Sequence, residues 1–346
     1  MTPASVNAPA SAFRNAGVAI LLSTFNGAAF LPAQLNSFLS QTHEHWVLHW
    51  RDDGSTDETV AIMRTFAARV GAERCVESSS SGPHLGAFSS FLTLLRENLG
   101  AMALAFADQD DVWLPEKLHC ALEILSQAEE VPALYCARQY RVDESLRNAT
   151  LSASHTGAPG FPACLTQNIA NGNTLVLNAA AAALVATASE PNGTVHDWWS
   201  YIVVSACGGR ILFDERPQVL YRLHKSNLIG RAQPLHQRAL AALRRGPVVF
   251  MTMMQRHADA LAKQEAKLTP MARQDLAVLR AGLHGGLAGT ASHSLALPAP
   301  APAHTAGKPA LRPLVPHLPP LPGRPAAAAR RQALSLIHIS EPTRPY

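Results

Sequence analysis

The chain has 346 residues, with 29 Lys and Arg against 25 Asp and Glu and a formal net charge of +4. That length is enough to bury one large core or two smaller ones. So mild a charge leaves no nucleic-acid footprint, and no apolar run is long enough for a transmembrane span.

Residues 1–16 are rich in Ala, Ser and Pro and predict a disordered leader, not a signal peptide. Cys75, Cys120, Cys136, Cys164 and Cys207 are scattered without CxxC spacing. They predict free thiols in a reducing compartment, and with the leader they place the protein in the cytoplasm.

Val18–Leu22 predicts a first buried strand, which breaks at the small polar turn Ser23–Gly27. Leu31, Leu35, Phe38 and Leu39 then recur at helical spacing, with Pro32 tolerated in the first turn. A second strand, Trp46–Trp50, runs into Arg51-Asp52-Asp53-Gly54-Ser55-Thr56-Asp57-Glu58. Here Ser55 and Glu58 read as a capping box opening a helix with Val60, Met63, Phe66 and Ala67 on its apolar face. Arg74–Glu77 is a short third strand, followed by a Ser/Gly/Pro loop and a helix through Phe88, Phe91, Leu92 and Leu95.

The apolar run Ala101–Ala107 fits a buried parallel strand. It ends abruptly in Asp108, Asp110, Asp111 and Trp113, and Pro115 suits the first turn of the helix that follows. Carboxylates packed at the end of a buried strand repel one another unless a cation lies between them, and oxygen-rich clusters suit Mg²⁺ or Mn²⁺. Taken alone, the three acids read equally well as a solvated turn capping the next helix.

Strand and helix alternate throughout this half, which predicts an α/β fold with a mostly parallel sheet and helices on both faces. Ligands of such folds bind beyond the carboxyl ends of the strands. The polar turns at 23–27, 52–57 and 108–111 sit at those ends and are expected to line one crevice.

In the second half, Ala133–Arg138 predicts a strand, and the polar turn Asn168–Thr174 enters the apolar Leu175–Leu177. Val195–Trp199 opens an apolar helix that ends at Gly208-Gly209. Ile211–Phe213 and Val219–Tyr221 read as two short strands. Residues 233–284 predict a helical extension, basic on one face through Arg238, Arg244, Arg245, Arg256, Lys263 and Lys267. That face is either solvated or a peripheral contact with anionic lipid. Residues 285–346 are low in complexity and supply no core. Within them, 334–345 resemble a translated sequencing adapter and are set aside.

The ordered set Ser-Thr-Phe-Asn-Gly (23–27), Arg-Asp-Asp-Gly-Ser-Thr-Asp (51–57), Asp-Gln-Asp-Asp-Val-Trp (108–113), His-Asp-Trp-Trp (196–199) and Tyr-Arg-Leu-His (221–224) resembles family 2 glycosyltransferases. The resemblance is closest to their bacterial rhamnosyltransferase-like branch. It implies a Rossmann-like GT-A fold, with a nucleotide-binding half over 17–114 and an acceptor-binding half over 115–232. It also implies an inverting, metal-dependent transfer of a sugar, rhamnose by the same resemblance, from a dTDP or UDP donor. The acceptor would be a hydroxyl of a glycan or lipid-linked molecule in cell-surface polysaccharide synthesis, at the inner face of the membrane.

The resemblance also carries roles onto residues. Asp53 is expected to accept the N3–H of uracil or thymine, with the turn at Thr24 and Asn26 holding base and ribose. Asp108 and Asp110 form the DxD motif, with Asp110 on the metal and Asp108 on the ribose or a metal-bound water. His224 completes the metal shell. Asp197 is the general base; its position also reads as the N-cap of the helix that follows, which would keep it ionised. Trp198 and Trp199 stack on acceptor sugar, unless one of them belongs to the core. Ser90 and His84 depart from the pattern, standing where relatives often carry Asn. Two other readings stay open: a sugar nucleotidyltransferase, which would need a Gly-rich cationic loop after the first strand, and a non-catalytic nucleotide-sugar-binding relative.

Overall fold

Along Val18–Thr24 (β1) consecutive apolar side chains enter different cores, which is why the run is apolar throughout instead of alternating. Ala19 and Leu21 face one core, while Val18, Ile20 and Leu22 face the other. The computed structural model describes residues 17–128, 131–155, 160–224 and 235–284, with backbone alone for 235–248 and 284.

Trp46–Asp52 (β2), Cys75–Glu77 (β3) and Ala103–Ala107 (β4) join β1 in a parallel block. Val112–Trp113 (β5), Ala133–Asp143 (β6), Thr150–Leu151 (β7), Val176–Asn178 (β8) and Arg210–Leu223 (β9) extend it. The order is β3-β2-β1-β4-β8-β6-β9-β5, with β7 on β6. β8 runs antiparallel to both β4 and β6, so the sheet is parallel in its first half and mixed in its second.

Leu31–Leu39 (α1), Thr59–Val70 (α2) and Lys117–Leu125 (α4) cover one face. Ala87–Glu97 (α3), Ala179–Ala186 (α5) and His196–Ala206 (α6) cover the other. Leu235–Ala262 (α7) and Pro270–His284 (α8) are helical as expected. Met253, Ala258, Leu261 and Leu276 belong to the same core as α6, so the described part of this extension packs against the sheet domain.

Three local expectations are corrected. Ser55 and Glu58 form no capping box: Glu58 makes no side-chain cap bond, and Asp57 Oδ1 accepts the Thr59 amide at 3.0 Å instead. The Ser55 hydroxyl instead donates to Asp52 Oδ1 at 2.6 Å. Second, 211–213 and 219–221 are parts of one strand, β9, which bulges where its register on β6 shifts between Ala137 and Gln139. Pro217, lacking an amide hydrogen, falls in that bulge, and Asp214 Oδ1 satisfies the nearby Arg216 amide at 2.9 Å. Third, α4 begins at Lys117, so Pro115 precedes the helix and its carbonyl accepts from the Thr42 amide at 3.0 Å.

Both tryptophans of 196–199 are core residues, 2% and 0% exposed. Trp198 Nε1 donates to the Cys164 carbonyl at 2.7 Å, and the Trp199 ring stacks on His257 of α7 at 5.8 Å between centroids. Neither offers a ring face to an acceptor sugar. The apolar spacing that marked one of them as a core residue holds for both, and together they form the face on which His257 of α7 packs. Trp199→Ala is expected to lower folding stability by about 3–5 kcal/mol, read as a fall in the urea midpoint; an unchanged midpoint would contradict this packing.

Candidate active site

The polar turns after β1, β2 and β4 meet beyond the carboxyl ends of those strands, stitched together by side chain to backbone bonds. Gln109 grips Phe25 from both sides: its Oε1 accepts the Phe25 amide and its Nε2 donates to the Phe25 carbonyl, each at 2.9 Å. Asn26, at φ +46°, donates its amide to Ser55 Oγ at 2.9 Å and accepts the Thr56 amide on Oδ1 at 2.8 Å. Asp57 Oδ2 accepts the Ala28 amide at 3.1 Å.

Thr24 and Asp52 lie under this surface. Thr24 is fully buried and donates to Asp52 Oδ1 at 3.0 Å, while Asp52 Oδ2 accepts the Gly54 and Ser55 amides at 3.0 and 2.7 Å. Thr24 therefore shapes the turn without presenting its hydroxyl, and Asp52 is the structural carboxylate of the pair. Asn26 is exposed, with its side-chain oxygen committed to the second turn.

Asp53 is more densely bonded than the sequence suggested. Its Oδ1 accepts from Arg51 Nη1 at 2.6 Å, the Leu85 amide at 2.7 Å and Ser90 Oγ at 3.0 Å. Its Oδ2 accepts from the Gly86 amide at 2.9 Å and His84 Nδ1 at 2.8 Å. Burial pushes the Asp53 carboxyl up, but the Leu85, Arg51, Gly86 and Ser90 bonds outweigh it and hold the group below its ordinary range. Asp53 is thus an ionised anchor for the 82–86 loop.

At the other end lie the acids after β4. Asp111 is fully buried; it accepts from Asn173 Nδ2 at 2.6 Å and from the Arg222 amide at 3.0 Å. Burial, then Asp110 and Asp108, push its carboxyl well up, against those two bonds. Arg222 Nε donates to the Asp110 carbonyl at 2.8 Å, and Arg222 Nη1 to the Glu144 carbonyl. Asp110 Oδ2 faces His224 Nε2 at 2.8 Å. Asp108 is half-buried; burial, Asp110 and Asp197 raise it to about 8, opposed by Lys117.

Asp197 lies one residue inside α6, whose N-cap is Val195, so it is not the cap. Its Oδ1 accepts the Trp198 amide at 2.6 Å and its Oδ2 the Gly172 amide at 2.9 Å. Burial raises it to about 6 despite these bonds and one from Asn168. The helix terminus therefore does not keep it in the ordinary carboxylate range. Gly172, which donates to Asp197, adjoins the Asn173 that donates to Asp111, so one short turn bridges the helix acid and the strand acids.

A divalent ion suits Asp110 and His224. An aspartate oxygen and an imidazole nitrogen 2.8 Å apart are ligand atoms of the kind a divalent cation takes. Among the described residues no group of three or more His, Cys, Asp or Glu side chains is arranged to hold a metal. An ion on this pair would complete its shell with phosphate and water, as Mg²⁺ does.

Sequence reasoning passed over Lys117, Asn173, Gln109 and the supporting roles of Asp111 and Arg222. Lys117 is fully buried, its Nζ 3.1 Å from the Trp113 ring centroid with no hydrogen-bond partner among the described residues. Burial pushes its amine well down, against Asp108 and Asp111.

Residues 19–174 match the family model of glycosyl transferase family 2. The chain carries a family 2 glycosyltransferase domain. It is 24% identical over 223 residues to a dTDP-rhamnosyl transferase, RfbG, of Shigella flexneri, covering 60% of this chain and 73% of that one. It is 27% identical over 108 residues to an Escherichia coli glucosyltransferase, WfgD, named for UDP-Glc and α-D-GlcNAc-diphosphoundecaprenol; the match covers 31% of this chain and spans 40% of that one. The crystal structure of S. aureus TarS 1–349 in complex with UDP-GlcNAc superposes with a TM-score of 0.54 at 13% identity, covering 77% of this chain and 70% of that one. That likeness establishes the GT-A fold of this glycosyltransferase domain.

Asn173→Ala removes the side-chain donor to a buried carboxylate. It is expected to lower stability by about 1–3 kcal/mol, measured by equilibrium unfolding; a variant as stable as the parent would mean that Asp111 does not rely on that bond.

Proposed function

We propose that the chain is an inverting, metal-dependent glycosyltransferase that moves a sugar from a nucleoside diphosphate to a hydroxyl of a glycan or lipid-linked acceptor. The likeness to a dTDP-rhamnosyl transferase favours rhamnose on dTDP or UDP, and cell-surface polysaccharide synthesis as the setting. The enzyme would act at the cytoplasmic face of the membrane. No helix among the described residues is long and apolar enough to cross one. Peripheral contact would fall to the basic extension. There Arg256 donates to the Asn192 carbonyl and Lys267 to Thr187 Oγ1, while the Arg238, Arg244 and Arg245 side chains lie outside the described residues.

The observation that carries the reading is Asp197: a carboxylate raised to about 6, held by two backbone amides, within the field of the DxD acid Asp108. In the proposed reaction the acceptor oxygen attacks the anomeric carbon while Asp197 takes its proton. The bond from that carbon to the diphosphate breaks, its electron pair leaves on the diphosphate, and configuration inverts. Asp110 and His224 would hold Mg²⁺ or Mn²⁺, which supplies charge neutralisation to the departing diphosphate. Asp108 would meet the ribose or a metal-bound water. The turns at 23–27 and 52–57, with Asp53 beneath, would receive the nucleoside. Residues 17–114 would form the nucleotide half and 115–232 the acceptor half.

Asp197→Asn is expected to cut transfer about 10²–10⁴-fold while nucleotide affinity, measured calorimetrically, stays near that of the parent. Asp110→Ala should instead weaken Mn²⁺-dependent nucleotide binding by about tenfold or more. Equal loss of affinity in the two variants would show the roles wrongly divided.

The same base gives a pH dependence of known sign. A group at about 6 is ionised above that pH and takes up its proton below it. The expected kcat/KM is level near neutrality and falls about tenfold per pH unit in the acid limb. A profile flat to pH 5 would remove Asp197 from the proton transfer.

A further inference from the structure

We infer that His196 is a positioning residue for the proton transfer: its ring seats the backbone of Gly172 and, through the Gly172 amide, aims the Asp197 carboxylate. This rests on the reading of Asp197 as the base and says what orients it.

Two backbone amides hold that carboxylate from different sides. The Trp198 amide on Oδ1 belongs to the same helix and moves with it. The Gly172 amide on Oδ2, at 2.9 Å, comes from the 172–174 turn, twenty-five residues earlier. Asn168 adds a side-chain bond from the stretch that leads into that turn. A carboxylate held on one oxygen can still swing about its broad last torsion, and a hold on the second oxygen stops it. Whatever seats Gly172 therefore decides the direction in which the base points.

The His196 ring is that seat. It stacks on Phe91 of α3 at 3.9 Å between centroids and meets Phe106 of β4 edge-on at 4.8 Å. Both phenylalanines are buried in the core between sheet and helices, so the ring has a rigid backing. Its far edge abuts Gly172. A methyl group there would lie 2.8 Å from Nε2 and 3.0 Å from Cε1 of His196. The same methyl would lie 3.5 Å from the Asp197 Cβ, an ordinary contact, so the histidine alone is the obstacle. The Gly172 φ is outside the left-handed region, and contact rather than backbone conformation is what bars a side chain.

The ring acts through its shape. Nε2 is buried and has no hydrogen-bond partner among the described residues. Burial also pushes the imidazole down to about 3, so near neutral pH it adds no charge beside the base. An unpaired buried nitrogen contributes nothing as a donor or acceptor, which leaves the flat face on Phe91 and the edge against Gly172 as the reasons for the residue.

The test is a double-mutant cycle on His196 and Gly172 in the full chain. Its readouts are kcat for Mn²⁺-dependent hydrolysis of dTDP-rhamnose, with water in place of the acceptor, and the calorimetric affinity for dTDP. Gly172→Ala should lower kcat about 10²-fold, as the methyl lifts the turn off its seat. Affinity for dTDP should stay within about twofold of wild type. His196→Ala should lower kcat about tenfold. In the His196→Ala background, Gly172→Ala should cost no more than about twofold further, because its methyl enters the space the ring has left. Should His196→Ala not fold, His196→Asn takes its place in the cycle.

The inference is overturned if Gly172→Ala keeps the wild-type kcat, or if its cost is the same with and without the His196 ring. A loss of dTDP affinity as large as the loss of kcat overturns it too, since the turn would then support the whole crevice and not the base. Two controls keep His196 and Gly172 intact and so separate other failures from these. A wild-type chain that neither binds dTDP nor hydrolyses the donor overturns the glycosyltransferase reading along with the inference. Full hydrolysis by Asp197→Asn overturns the assignment of the base.

Discussion

A buried carboxylate holds the reacting end of the sheet together. Asp111 draws in the Asn173 side chain from the turn before β8 and the Arg222 amide from the end of β9. Stretches some sixty and a hundred and ten residues away in the chain thereby meet the acids that follow β4. Removing a carboxylate from water is unfavourable unless hydrogen bonds replace the solvent. The need to satisfy Asp111 therefore dictates where those stretches go. Arg222 adds a second tie through the Asp110 carbonyl, and the strand that carries it delivers His224 to Asp110 two residues later.

The charges around this anchor are poorly balanced within the protein itself. Burial and mutual repulsion push Asp108 and Asp111 up, and burial pushes Lys117 down although both acids favour its charge. Such frustration is the mark of a site whose partners arrive with the ligand. In the proposed reaction a divalent ion and a diphosphate would bring both signs of charge to these groups. Asp197 stands across from this cluster. Its burial keeps it a stronger base than a surface aspartate, while two amides keep it oriented.

Around the first two turns the logic is the reverse, because the carboxylates and amides there already have partners within the protein. Asp52 shapes its own turn, Asn26 bridges to the next, Gln109 clips the first turn to the third, and Asp53 gathers the 82–86 loop. These bonds preorganise the crevice, so that little ordering is left for the ligand to impose.

By itself the sequence determined the alternation of strand and helix, the three polar turns at the strand ends, the acids at 108–111, the family and the helical nature of the extension. These are properties of neighbouring residues, of period and of motif, and short-range physics is enough to read them. The tertiary structure alone decided that Trp198 and Trp199 belong to the core, that Lys117 lies under the acids and that β9 is one bulged strand. It likewise decided that Asp57, not Ser55, serves the first turn of α2 and that Asp53 anchors the 82–86 loop. Each of these depends on which distant groups come within a few ångströms. Local pattern says how polar a residue is, but the partner that satisfies or crowds it arrives from another part of the chain.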